Sequence, residues 1–271
     1  MKFNFQRKYL AFPYVIFLLG FIVLPLLIIF YYAFTNRDGQ LSLDAASLFF
    51  NNPQRVAILF NSIGYALLNT VITLLIGYPI AMILANKKYN KNTVIVLLFV
   101  MPMWINFVIR TWATKDLLFW LGITAPPNPT FGLAVTIGLI YNFLPFVILP
   151  LYTTMLKMDK SQIEASQDLG ARPHQTFFKV IIPMTMPGII SAATMVFMPT
   201  ISSQVIPTIL SERKIILFGE AIYDAYFRSG TPDAINIGSF MSLVMLVFIV
   251  ISLYLTKIFS KKEQASRSSL W

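Results

Sequence analysis

Six apolar runs dictate what this chain can become. They cover residues 9–34, 61–85, 94–112, 131–156, 187–210 and 235–259. A helix needs about 20 mostly apolar residues to cross a bilayer. Inside lipid every backbone N–H and C=O must be satisfied within the protein, and a helix does this by itself. The runs predict an all-α, polytopic membrane protein with six transmembrane helices. Composition agrees: 57% of residues are hydrophobic, mean hydropathy is +0.71 and only 12% are charged, about half the share of a soluble domain. The first run is too long for a signal peptide, and no small-residue cleavage site leads from it into a soluble domain. It is expected to stay as a helix.

The net charge of +10 does not read as a nucleic-acid surface, because the basic residues cluster between the runs, where they act as topology signals. With the N-terminus inside, the inner segments hold Lys2, Arg7, Lys8, Lys87, Lys88, Lys91, Lys157, Lys160, Arg172, Lys179, Lys257, Lys261, Lys262 and Arg267. The outer segments hold Arg37, Arg55, Arg110, Lys115, Arg213, Lys214 and Arg228. The twofold excess places both termini, and residues 157–186, in the cytoplasm. The expected organisation is an N-terminal span with an outer loop (1–60), a transmembrane core (61–257) containing the loop 157–186, and a cytoplasmic tail (258–271).

Several chemistries are excluded. There are no cysteines and one histidine, His174, so disulfides, thiolate metal sites and most histidine constellations fall away. No phosphate-binding glycine loop with Gly-Lys-Ser/Thr is present. No catalytic residue, metal or cofactor is expected. The runs contain no Asp or Glu, whereas a proton-coupled carrier is expected to keep one in the membrane. They are rich in proline: Pro13, Pro25, Pro79, Pro102, Pro145, Pro150, Pro187, Pro199 and Pro207. Each removes a helical hydrogen bond and permits a kink.

The segment "SQIEASQDLGARPHQTFFKVIIP", residues 161–183, is the longest polar interruption. Ser161 followed by Glu164 has the spacing of a capping box. Gly170 suits the left-handed position that ends a helix, and Pro173 suits the first turn of the next. The prediction is a helix, a glycine turn and a second helix leading into the fifth span. A connection between membrane helices needs only a few residues. A long one with its own secondary structure is a handle for a soluble partner.

In these residues the chain resembles the permease subunits of bacterial binding-protein-dependent ABC importers. Their cytoplasmic signature runs Glu-Ala-Ala, three residues, Gly, nine residues, Ile-x-Leu-Pro. Here it reads Glu164, Ala165, Ser166, then Gly170, then Val180-Ile181-Ile182-Pro183. It departs at Ser166, Val180 and Ile182 and keeps the spacing. "IGYPIAMILA", "PMWINFVIRTWATKDLL", "LIYNFLPFVILPLYTTMLKMDKSQIEASQDLGA" and "VIIPMTMPGII" look like the first of the two permeases of spermidine/putrescine importers. The likeness covers most of 61–257 and is weakest over 208–235. It implies a type I importer permease fold whose short helix carrying Glu164 sits in a cleft of a separate ATP-hydrolysing subunit. It also implies a heterodimer with a second permease, two ATPase copies, an extracytoplasmic polyamine-binding protein, and residence in a bacterial plasma membrane.

A path for a polycation should offer carboxylates, carbonyls and aromatic faces. With no acid in the spans, the candidates are Trp104, Asn106, Tyr141, Asn142 and Gln204. The fifth run carries small polar residues at Ser191, Thr194, Ser202 and Ser203, which suits a helix packed against the path. On the outer side Glu220 and Asp224 are four apart, so one helical face carries both, flanked by Tyr223 and Phe227. They make either a receiving surface for a polycation or the wet face of an interfacial helix. Asp116 belongs to the same outer set unless it pairs with Lys115 or Arg110. The rival readings are an ABC permease for another solute (an amino acid, an oxyanion or iron) and a secondary carrier.

Overall fold

The computed structural model describes residues 11–86, 94–125 and 132–268. Lys2, Arg7, Lys8, Lys87, Lys88 and Lys91 of the charge count lie outside them, as do the first residues of the first and fourth apolar runs and tail residues 269–271. Among the described residues the chain is helical, with one isolated bridge between Thr35 and Leu41. The helices are α1 (Ala11–Leu18), α2 (Leu24–Ala33), α3 (Asp44–Phe50), α4 (Pro53–Ala85), α5 (Val94–Val100), α6 (Phe107–Trp120), α7 (Leu133–Leu156), α8 (Ser161–Asp168), α9 (Pro173–Thr176), α10 (Ile182–Ile201), α11 (Val205–Leu210), α12 (Phe218–Phe227) and α13 (Ala234–Ser268).

Five spans are long and apolar enough to cross a membrane: Phe12–Ala33, Pro53–Ala85, Leu133–Leu156, Pro173–Ile201 and Ala234–Ile258. The pair Val94–Trp104 and Phe107–Trp120, turned by 97° at its break, passes the same test when its two halves are taken together. The expectation of one continuous helix over 94–112 therefore needs correction. Pro102 opens a 3-10 turn over Met101–Trp104, Ile105 is extended, and the Asn106 side chain accepts the Val108 N–H at 2.9 Å to start α6. A proline that stops one helix and an asparagine that caps the next were both legible as punctuation. The fifth span is displaced toward the N-terminus: it runs from Pro173 to Ile201, not from 187 to 210. It ends where the Ser202 hydroxyl donates to the carbonyls of Met198 and Pro199 at 3.3 and 3.2 Å.

Two π-helical segments, Leu19–Val23 and Phe177–Ile181, join α1 to α2 and α9 to α10. Each contains the residue four before a proline: Phe21 before Pro25 and Lys179 before Pro183. A proline cannot donate to that carbonyl and its ring crowds it, so the helix widens by one residue and continues.

The backbone divides into two compact units. One comprises 1–57 and 221–248, the other 58–220 and 249–271. In the first, Asn236 donates its amide to the carbonyls of Tyr32 and Thr35 at 3.0 and 2.6 Å, and Phe49 packs on Phe240. In the second, α7 is the hub. Half of its most apolar window is buried, against none of the first span's. Val147, Ile148 and Leu151 pack against Ala81 of α4 and Ala192 and Val196 of α10. Lipid is as apolar as leucine, so specificity between the helices comes from close packing and polar pairs. Asn69 donates to the Thr200 hydroxyl at 2.8 Å, and the Tyr78 and Thr185 hydroxyls bond at 2.8 Å.

Candidate functional site

The loop 157–186 folds as a helix, a glycine turn and a second helix. One detail of its start is corrected. Ser161 lies inside α8 and makes no cap. The Asp159 carboxylate accepts the Ser161 N–H at 3.0 Å instead, because the helical backbone already begins at Lys160. The end of α8 follows expectation. Gly170 has φ +78°, its N–H reaches the Gln167 carbonyl at 2.9 Å, and the Ala171 N–H reaches that of Ser166 at 3.1 Å. This bond pair is a Schellman cap, which needs the left-handed residue. Pro173 opens the second helix, and the Gln175 side chain accepts the Arg172 N–H at 2.9 Å.

Ser166 acquires a reason. Its hydroxyl lies 3.0 Å from that of Thr176, which is buried, so the two helices are joined by a side-chain bond that Ala would lack. Glu164 and Ala165 are exposed, and Leu169 is 89% exposed beside a groove of about 450 Å³ lined by Ser166, Gly170, Ala171, Gln175 and Lys179. Leu169, Glu164 and Ala165 thus present an apolar side chain, a carboxylate and a small residue on the outside of a short helix that is held at both ends. Pro183 is exposed and lies just past the π-helical widening within the fifth span.

The cation-contact candidates separate into groups. Tyr141 and Asn142 of α7 meet Arg110 of α6. The guanidinium donates to Asn142 Oδ1 from Nε at 3.0 Å and from the second terminal nitrogen at 2.6 Å, and to the Pro102 carbonyl at 2.8 Å. It stands 5.5 Å from the Tyr141 ring centroid. Trp104 is exposed on the same 3-10 turn as Pro102, while Asn106 spends its side chain on the cap. Gln204 is exposed at the break between α10 and α11.

On α12 the two carboxylates have different surroundings. Glu220 is 2% exposed and lies 3.8 Å from Arg213, so its carboxylate is buried. Asp224 is half-buried and accepts from Arg228 at 2.9 Å, with that guanidinium 5.2 Å above the Tyr223 ring. Lys115 pairs with Glu212 at 3.1 Å and Arg110 binds Asn142, so neither cation is taken up by Asp116 as one reading allowed. The hydrogen bond and charge of Lys115 hold the Glu212 carboxyl below the usual range.

Residues 56–264 match the sequence profile described as binding-protein-dependent transport system inner membrane component. The chain belongs to that family. Among relatives of this inner membrane component, the spermidine/putrescine transport system permease protein PotB of Haemophilus influenzae is 32% identical over 253 residues, covering 86% of this chain and 88% of that protein. PotB of Escherichia coli K12 is also 32% identical, covering 84% and 91%. A chain of a bacterial alginate ABC transporter in complex with an alginate pentasaccharide-bound periplasmic protein superposes with TM-score 0.69 at 16% identity over 94% of this chain and 93% of that one. That likeness fixes the fold as that of an ABC importer permease.

Sequence reasoning missed the tie between Arg110 and Asn142 in this inner membrane component. The signal was there. Arg110 is an ionisable residue in an apolar run, which by default marks a built site with a partner, and Asn142 lies on the neighbouring run.

Proposed function

We propose that this chain is one permease subunit of an ATP-driven polyamine importer and carries spermidine or putrescine inward. Support comes from the two PotB relatives, each matched over more than four-fifths of both chains, joined to a docking helix that ends in a Schellman cap at Gly170. In this reading residues 61–257 form the transmembrane core, both termini are cytoplasmic, and the helix Ser161–Asp168 with Glu164, Ala165, Ser166 and Gly170 sits in a cleft of a separate ATPase subunit. Closure of two ATPase copies on ATP moves the helix. Pro183 and the π segment before it pass the motion along the fifth span. A second, related permease completes the path, and an extracytoplasmic binding protein delivers the cargo.

The test is ATP-dependent uptake of labelled spermidine into vesicles containing this chain with its co-purifying subunits. Uptake that needs ATP and is competed by putrescine supports the proposal. An ATPase partner without polyamine uptake discards the cargo and keeps the docking helix. Asp224→Asn is expected to raise the KM for spermidine by about three- to tenfold with little change in kcat, because a half-buried carboxylate beside an aromatic ring attracts a polycation. An unchanged KM would make α12 an interfacial helix only.

A further inference from the structure

Arg110 is 8% exposed and belongs to a chain whose apolar runs contain no acidic residue. A buried guanidinium is costly unless its donors are met, and it is ordinarily met by a carboxylate. Here its partners are an amide oxygen, a main-chain carbonyl and an aromatic face, all neutral. Asn142 is held for the task, since its own amide donates to the Gly138 carbonyl at 2.8 Å, which turns Oδ1 toward the guanidinium. The Pro102 carbonyl is delivered by the 3-10 turn at the break of the third apolar run. Oxygen acceptors around one cation with a ring beside them form a receptor for an alkylammonium group as much as for arginine.

We propose that Asn142 Oδ1, the Pro102 carbonyl and the Tyr141 ring form a subsite for one ammonium group of the cargo, kept closed by Arg110 as a tethered cation. Cargo enters only when the guanidinium leaves, and leaving releases the tie between the 97° break and α7. The subsite is therefore unavailable to a free polycation in the resting chain, and occupancy is coupled to a change in the broken span. Neutral acceptors suit a transit site: they bind a cation well enough to desolvate it and too weakly to trap it. This inference rests on the polyamine reading and adds to it a binding position and a gate.

The experiment uses the intact transport complex in lipid nanodiscs without its binding protein, with labelled spermidine as probe. Spermidine uptake by the wild-type complex is measured first in vesicles; its failure removes the polyamine reading and this inference with it. Given uptake, Arg110→Gln is expected to bind spermidine about tenfold more tightly than wild type, Arg110→Lys about as wild type, and Arg110→Gln with Asn142→Leu no better than wild type. Equal affinity of Arg110→Gln and wild type, or a gain that survives Asn142→Leu, overturns the subsite and leaves the uptake result standing. A wild-type measurement covers the case in which Arg110→Gln does not assemble. Phenylglyoxal labelling of Arg110, read by peptide mass spectrometry, is expected to rise several-fold when spermidine and ATP are added together, and unchanged labelling overturns the proposal.

Discussion

Gly170→Val is expected to leave the protein in the membrane and reduce ATP-driven uptake by about tenfold or more. Space is not the cause, because a Cβ added at Gly170 meets nothing within 4 Å. The cause is φ of +78°, which costs an ordinary L-residue about 1–2 kcal/mol and a β-branched one more. To escape, the backbone must give up the Schellman bonds from Gly170 and Ala171. The docking helix then no longer holds a fixed angle to the second helix, and the bond between Ser166 and Thr176 loses its geometry. Asn tolerates the left-handed region, so Gly170→Asn should keep most of the transport. The measurement is uptake beside ATPase rate in the same vesicles. Loss of uptake with ATPase activity retained shows uncoupling. Intact uptake in Gly170→Val would remove the turn from the coupling mechanism.

The second large effect is expected at Gly219, for the opposite reason. A Cβ there runs into the main-chain carbonyl of Ser202 and comes within 3.0 Å of its Cα. Backbone cannot rotate away as a side chain can. Ser202 also sits where the fifth span stops, its hydroxyl on two helix-end carbonyls. The neighbouring Phe218 N–H donates to the buried Ser62 hydroxyl at 2.8 Å, so the approach is fixed from both sides. Gly219→Ala should cost about 3 kcal/mol, at the upper end of ordinary overpacking, and lower the thermal midpoint of the detergent-purified protein. Gly64 is the control: it lies within α4 with nothing within 4 Å of an added Cβ, so Gly64→Ala should be neutral or stabilising by up to about 1 kcal/mol. Equal midpoints for the two variants would show that the contact with Ser202 is soft.

The loop 157–186 was the most legible part of the chain. Gly170 and Pro173 act through φ and a missing N–H, which are properties of the residue itself, so the turn and the restart of the helix could be read before any packing was known. The cap at Ser161 was misplaced because the Ser161 N–H, which Glu164 would take in a capping box, is met by Asp159 from two residues upstream. Either residue satisfies the helix end, and only the backbone at Lys160 decides between them. Glu220 and Asp224 share a helical spacing, yet periodicity does not say which side of a helix is covered. One is buried beside Arg213 and the other paired with Arg228.

Apolar run length, an absence of acids inside the runs, and the spacing from Glu164 to Pro183 determined by themselves that this is a helical membrane protein with a structured loop between its fourth and fifth apolar runs. These rest on local or additive physics: hydrophobic length against bilayer thickness, and backbone preferences of glycine and proline. Only the tertiary structure decided that the third apolar run breaks by 97°, that the fifth span begins at Pro173, and that Arg110 occupies Tyr141 and Asn142. Those outcomes depend on which oxygen a buried cation reaches across about 30 residues of sequence, and a distance of that kind exists only once the helices have packed.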